Sequence, residues 1–208
     1  MHLGRRFLIP LTIGLSAAAF ATTKGLNQIV TPDIQGAGSL SLSAQIQHQM
    51  IGNSEQIQYE LGLSKNFEVA AFQGLKPGTF SVAAELGLVQ TDTFLVSTGF
   101  LGWSSEGDLP QMFLEGGYYK GRYKAVGGVQ RAPGHQNLTI LGASYQLNST
   151  IALQSDFLSG NNNFTTFGFT FSPNARLSIN PALYMANSSD HKLYPYMVVS
   201  YTIQAFKG

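Results

Sequence analysis

The stretch Gln56–Phe72 reads QIQYELGLSKNFEVAAF, and its two-residue rhythm decides the fold. Ile57, Tyr59, Leu61 and Leu63 alternate with Gln56, Gln58, Glu60 and Gly62. After a break at Ser64-Lys65-Asn66, the residues Phe67, Val69 and Ala71 take up the alternation. Successive side chains of a strand point to opposite faces, so this is a hairpin with one apolar and one polar face. The fold must cover the apolar face and still leave water for Glu60 on the other.

Composition narrows the choice. Hydrophobic residues reach 44% and charged residues only 11%, against about 25% charged in a typical soluble domain. A soluble β-sandwich covers its outer faces with Lys and Glu; this chain fills its polar positions with Gln, Asn, Ser and Thr. Cysteine is absent, which excludes a disulfide framework and thiolate chemistry but not export.

The amino terminus, MHLGRRFLIPLTIGLSAAAFA, has a basic start at Arg5 and Arg6, an apolar run from Phe7 to Phe20, and a small-x-small end at Ala19-Phe20-Ala21. That order predicts a secretory signal peptide over residues 1–21, cleaved after Ala21. A membrane anchor fits less well, because Pro10 and Gly14 interrupt a run short of the ~20 residues of a spanning helix. Removal of residues 1–21 leaves 10 Lys+Arg against 11 Asp+Glu. With no basic patch left, nucleic acid is not an expected partner. No other segment is long and apolar enough to span as a helix, so a mature chain that enters a membrane does so with strands.

Residues 22–38, TTKGLNQIVTPDIQGAG, show no period and read as a lead-in segment at the mouth of whatever follows. From Ser39 onward the alternation predicts twelve strands: 39–49, 54–64, 67–74, 79–89, 93–103, 112–119, 123–131, 136–146, 149–159, 163–172, 175–186 and 193–204. Most approach the about 9–11 residues of a tilted membrane-spanning strand rather than the about 5–6 common in soluble proteins. The even-numbered connections are tight, with cores SKN, TDT, KGR, NS and PN. The odd-numbered ones (IGN, GLKPG, SSEGDLP, APGHQ, GNNN, NSSDHKLY) are mostly longer. Short periplasmic turns and longer outer loops are the grammar of an outer-membrane barrel.

Such a barrel answers the question posed by the hairpin. In lipid the apolar face turns outward and the polar face lines the lumen, while closure pairs every backbone donor and acceptor. The fold expected is therefore all-β, an antiparallel up-and-down transmembrane β-barrel of about twelve strands over residues 39–208. Glu60-Leu61-Gly62, Glu85-Leu86-Gly87 and Glu115-Gly116-Gly117 repeat one pattern on strands two, four and six, which run in the same direction. Glu60, Glu85 and Glu115 are thus expected on one lumen wall. Asp156, Gln58, Gln130, Gln154 and Asn180 face inward in the same register, as do Phe72, Phe113, Tyr119, Tyr145 and Tyr184. Leu61, Leu86 and Ile140 are expected to face lipid, and Lys124 and Arg131 to be the lumen's counter-charges. Phe67, Phe94, Tyr118, Tyr123 and Phe171 start or end strands beside tight turns, and Trp103 ends strand five, where interfacial aromatics belong.

With these features the chain resembles the small Gram-negative outer-membrane β-barrels, the porin-like proteins. The resemblance covers residues 39–204 and rests on strand grammar, with hairpins such as YQLNSTIALQSDF and FTFSPNARLSINPAL. The last strand, MVVSYTI, with Met197, Val199, Tyr201 and Ile203 on one face, resembles the signal that members present to the barrel-assembly machinery. Members commonly end in Phe, whereas this chain continues from Ile203 into QAFKG. The resemblance implies contact with outer-membrane lipid, localisation in the outer membrane, and passage of small solutes or ions. Twelve strands also resemble outer-membrane phospholipases and small sugar or nucleoside channels. A phospholipase needs His, Ser and Asn on neighbouring outward positions. His48, His135 and His191 lie at or near loops, and none precedes a serine in an acyl-transfer arrangement.

No G-x-S-x-G, phosphate loop, G-x-G-x-x-G or zinc spacing occurs, and no cofactor, metal or catalytic residue is expected. Glu106 and Asp108 in SSEGDLP fall short of the 6–8 oxygens of a calcium site. The Asn-x-Ser/Thr triplets at Asn137, Asn148, Asn163 and Asn187 would matter only in a glycosylating host. The expected function is a small cation-leaning channel for ions or small polar solutes. A plugged structural barrel, a lipid hydrolase and a secreted soluble β-sandwich are the alternatives.

Overall fold

The computed structural model describes residues 25–207 apart from 77, 105, 132, 133 and 135, so the expected signal peptide and His135 lie outside the described residues. Twelve strands follow in order: β1 (Ser39–Gln47), β2 (Glu55–Ser64), β3 (Phe67–Leu75), β4 (Gly78–Gln90), β5 (Phe94–Ser104) and β6 (Gln111–Lys120) make up the first half. The second half is β7 (Tyr123–Arg131), β8 (Asn137–Gln146), β9 (Ile151–Leu158), β10 (Phe164–Phe171), β11 (Leu177–Ala186) and β12 (Leu193–Gln204). Every neighbour pair is antiparallel, and β1 closes on β12 from Ser39↔Gln204 to Gln47↔Tyr196. Closure leaves no edge strand, which is the condition for placing a sheet in lipid.

Two strands, β9 and β11, start two residues later than the alternation suggests, for one shared reason. Asn148 Oδ1 accepts from the backbone N–H groups of Thr150 and Ile151, both at 2.9 Å. Asn174 Oδ1 does the same for Arg176 at 2.9 Å and Leu177 at 3.0 Å. Each asparagine turns the chain with its own side chain and holds off the ladder by two residues.

The barrel is inside-out relative to a soluble sandwich. Along β1, Ser41, Ser43, Gln45 and Gln47 are buried, while Leu42 and Ile46 are exposed. Along β2, Gln56, Gln58 and Glu60 are buried and Tyr59 is exposed. Leu86, Leu114, Leu153, Leu183 and Met197 likewise point out, giving an apolar band suited to acyl chains. Phe67, Phe94, Tyr118, Tyr123, Phe171 and Trp103 are exposed as well, with the Phe94 and Tyr118 rings 5.1 Å apart.

Strand β8 is turned over relative to the sequence expectation. Ile140 is 1% exposed and sits in the interior, whereas its neighbour Leu141 is 51% exposed. Tyr145, expected inside, pairs with the exposed Leu153 and Tyr123, and its ring packs tilted against the Tyr123 ring at 4.8 Å. Arg131 also moves: it follows the inward Gln130, is exposed at the end of β7, and lies on the outward side of the strand. The cause is an apolar interior at this wall. Leu138, Ile140, Val126, Phe113, Phe72 and Leu158 form one cluster with Leu26, Ile29 and Val30 from the segment that precedes β1. The rule of polar residues inward fails where the lumen holds protein instead of water.

Candidate functional site

Residues 25–38 run inside the barrel, not at its mouth. Gly38, with φ of 75°, turns the chain from β1 into the lumen, and its N–H donates to the Gly62 carbonyl at 2.8 Å. Only glycine takes that backbone conformation without strain. Because β2 ends at Ser64, just before a tight turn, the segment enters from the tight-turn end. At this end the Gln35 N–H donates to the Glu68 carboxylate, and Gln35 Nε2 donates to Ser41 Oγ at 2.7 Å. At the same end, the Tyr119 hydroxyl donates to Asp33 Oδ1 at 2.6 Å. Lys124 Nζ stands 3.7 Å from Asp33 Oδ2 and 4.6 Å above the Tyr119 ring. Gln90 Nε2 donates to the Pro32 carbonyl at 2.8 Å.

The far end of the segment meets β9, β10 and β11. Asp156 Oδ2 accepts the N–H of Asn27 at 2.6 Å and that of Gln28 at 3.1 Å. Asp156 Oδ1 accepts from the Thr166 hydroxyl at 2.7 Å, and Thr166 Oγ1 accepts in turn from Asn27 Nδ2 at 2.8 Å. Asn27 Oδ1 receives Gln154 Nε2 at 2.9 Å and Asn180 Nδ2 at 3.2 Å, while the Tyr184 hydroxyl donates to the Asn27 carbonyl. Asn27 is wholly buried, and each of its polar groups has a partner. Buried polar groups are costly unless matched in this way.

The barrel wall is cut to fit. A Cβ on Gly62 would stand 2.2 Å from the Gly36 carbonyl, and one on Gly142 only 2.5 Å from Leu26 Cδ1 and 2.6 Å from Ile29 Cδ1. A Cβ on Gly117 would meet Pro32 at 2.8 Å, and one on Gly168 would meet Asn27 Oδ1 at 2.6 Å. Such short separations force a neighbour to shift in a close-packed interior: at Gly62 the neighbour is segment backbone, at Gly117 the Pro32 ring, and at Gly142 and Gly168 the ends of segment side chains.

Of the residues expected in the lumen, Glu60, Glu85, Glu115, Asp156, Gln58, Gln130, Gln154 and Asn180 are all buried. They fall in two groups. Glu60, Glu85 and Glu115 lie on β2, β4 and β6, where Glu68 of β3 stands directly across from Glu85. Asp156, Gln154 and Asn180 lie on β9 and β11, around Asn27. Gln130 of β7 donates to Gln111 Oε1, and Gln58 pairs with Gln45. Sequence reading omitted Glu68, although its place between the outward Phe67 and Val69 marked it as inward. It also omitted Asn27, Gln28 and Asp33, which lie in a segment with no periodic signal, and Thr166, which meets that segment.

Beyond the segment, at the long-loop end, Ile51, Phe164, Tyr184, Tyr196 and Val198 pack into a second interior cluster. On that rim Ser188 Oγ donates to Asp190 Oδ1 at 2.7 Å, and Lys192 Nζ lies 2.9 Å from Oδ2. Together they hold the Asp190 carboxyl below its ordinary range. At the end of β5, Ser104 Oγ donates to Asp108 Oδ2 of the following loop at 3.0 Å. Among the described residues, no three His, Asp or Glu side chains gather in a way that could hold a metal ion.

No protein-family model matches the chain, and no curated protein sequence does. Solved structures do. The KdgM porin overlays with a TM-score of 0.57 at 10% identity, covering 78% of this chain and 98% of KdgM. The KdgM porin in complex with disordered oligogalacturonate overlays with the same TM-score at 9% identity and the same coverage. A NanC porin structure overlays with a TM-score of 0.49 at 9% identity, covering 80% of this chain and all of that one. At such identities the likeness speaks for the fold. By its closed ring of twelve antiparallel strands and its overlay on KdgM, this chain has the fold of the small porin β-barrels.

Proposed function

We propose that the protein is an outer-membrane channel for ions or small polar solutes that its own N-terminal segment holds closed, and that the open lumen prefers cations. The observation that carries this reading is the strap of residues 25–36, fixed at Asp33 by Tyr119 and at Asn27 by Asp156. A barrel whose wall is notched with glycine for a resident segment has a built closed state. Burial of Leu26, Ile29 and Val30, each favourable by about 1.5–3 kcal/mol, holds the strap against the entropy of release.

The cation preference rests on charge. Glu60, Glu68, Glu85, Glu115 and Asp156 point into the interior, and Lys124 is the inward cation facing Asp33. A narrow low-dielectric pore strengthens the field of such a wall. That sign opposes a polyanionic sugar of the kind bound in the KdgM complex. Export through a signal peptide cleaved after Ala21, assembly by the barrel-assembly machinery and a lipid-bathed outer wall complete the proposal.

Planar-bilayer recording tests it. The mature chain should pass little current, and the chain lacking residues 22–34 should pass sustained current. Reversal potentials in a salt gradient should favour cations, more strongly at low salt. Glu60→Gln, Glu85→Gln and Glu115→Gln together should weaken that preference. A clear anion preference would overturn the acidic-lumen reading. A folded, strapless barrel with no conductance would favour the second reading, a plugged structural barrel, for which the cluster around Ile51, Tyr184 and Tyr196 argues.

A further inference from the structure

The contacts around Asn27 go beyond what a steric plug requires. A plug needs bulk, and Leu26, Ile29 and Val30 supply it. Asn27 is instead read atom by atom: two side-chain amides donate to its Oδ1, a threonine hydroxyl accepts from its Nδ2, a carboxylate accepts its N–H, and a tyrosine hydroxyl donates to its carbonyl. The same carboxylate oxygen takes the next backbone N–H, from Gln28, and Gln28 Nε2 donates to the Phe164 carbonyl at 2.6 Å. Every barrel group here is nine-tenths or more buried: Gln154, Asp156, Thr166, Asn180 and Tyr184. The donors and acceptors are held in place by the barrel itself. Thr166 is fixed by Asp156, and Asn180 Nδ2 also donates to the Phe169 carbonyl at 2.9 Å.

We infer that Gln154, Asp156, Thr166, Asn180 and Tyr184 form a binding site for a peptide bearing a side-chain carboxamide, and that the N-terminal segment is its tethered occupant. The site distinguishes asparagine from its two isosteres and from solutes without a peptide backbone. Leucine in place of Asn27 would leave the Gln154 and Asn180 donors facing carbon. Aspartate would set a second carboxylate against Thr166, whose proton is committed to Asp156. A free solute lacking paired backbone N–H groups would leave Asp156 Oδ2 unmatched. This inference rests on the reading that the segment can leave the lumen, and it names the class of solute the vacated lumen holds: short peptides with asparagine flanked by backbone amides.

The test begins with the full-length folded chain, carrying a specific protease site inserted between Gly36 and Ala37 and cut only after assembly. Retention of the severed segment on the detergent-solubilised barrel is followed for the parent, Asn27→Leu and Asn27→Asp. Both variants should release it at least about tenfold faster, because each leaves buried polar groups unmatched. Equal retention of all three sinks the inference. The emptied Asn27→Leu barrel, its fold checked by compact migration when unheated, is then offered dye-labelled peptides of residues 22–36. The parent peptide should bind at least about tenfold more tightly than its Asn27→Leu and Asn27→Asp forms. Equal binding, or none, overturns the site. Conductance of the same emptied barrel is scored separately. Current without asparagine preference removes this inference and keeps the channel; preference without current does the reverse.

Discussion

The Tyr119 hydroxyl donates to Asp33 Oδ1 at 2.6 Å, joining β6 to the lumen segment across 86 residues of chain. Tyr119→Phe deletes this donor and keeps the ring beneath Lys124. A hydrogen bond to a charged group contributes about 1.5–3 kcal/mol, so the strap should loosen while the barrel stays closed at its seam. In bilayers the variant should open more often than the parent, with unchanged migration of the unheated protein. Identical recordings from Tyr119→Phe and parent would show that this clamp does not hold the strap.

Gly142 offers a sharper perturbation. Gly142→Val puts carbon where Leu26 and Ile29 already stand, whereas Gly127→Val, one strand away, meets nothing nearer than 3.8 Å. The first should displace the strap and the second should not. A thiol introduced as Ile29→Cys reports the difference: it should react rapidly with a membrane-impermeant reagent in Gly142→Val and slowly in Gly127→Val. Equal reactivity in the two would contradict the fit between wall and strap.

The face assignment of β8 has its own test. Ile140 is packed inside and Leu141 faces out. Ile140→Ala should lower stability by about 2–5 kcal/mol through the cavity it leaves. Leu141→Ala removes only a lipid contact and should cost far less. Urea midpoints of the two variants in micelles should therefore separate clearly, and a reversed order would restore the opposite register.

On β4, Leu86 is exposed on the outer face and Glu85 is buried. Arginine near the bilayer midplane costs roughly 2–4 kcal/mol. Leu86→Arg should impair insertion into vesicles much more than Glu85→Gln, measured as the heat-modifiable fraction. If both inserted equally well, the outward face would not be the lipid face.

Topology can be read on intact cells. Added protease should cut the loop between Ser104 and Gln111, and an epitope tag between Lys65 and Asn66 should stay hidden from external antibody. Surface staining of that tag would reverse the orientation.

These experiments divide along the line of what was legible in the sequence. All twelve strands were readable, because alternation is a local signal and the outward face obeys it at Leu42, Tyr59, Leu86 and Leu114. The lumen segment was not. Residues 25–38 have no ladder of their own; their partners are side chains such as Asp156 and Tyr119, far along the chain and unmarked by any spacing. Strand β8 was misread for the same reason. With Leu138 and Ile140 on one face and Leu141 and Tyr145 on the other, both faces are apolar, and only knowledge of what fills the lumen tells them apart. Glu68 differs from these: its position between two outward residues already fixed its direction.

The sequence separation of the strap's contacts bears on the order of assembly. Asn27 is bonded to Asp156 across 129 residues and to Tyr184 across 157, so its site does not exist until β9, β10 and β11 stand in the ring. Contacts of such span form late in folding. The chain's first segment is therefore expected to seat only after these strands have joined the ring. With the segment as the proposed closure, any delay in seating it would lengthen the time during which the newly closed ring leaks.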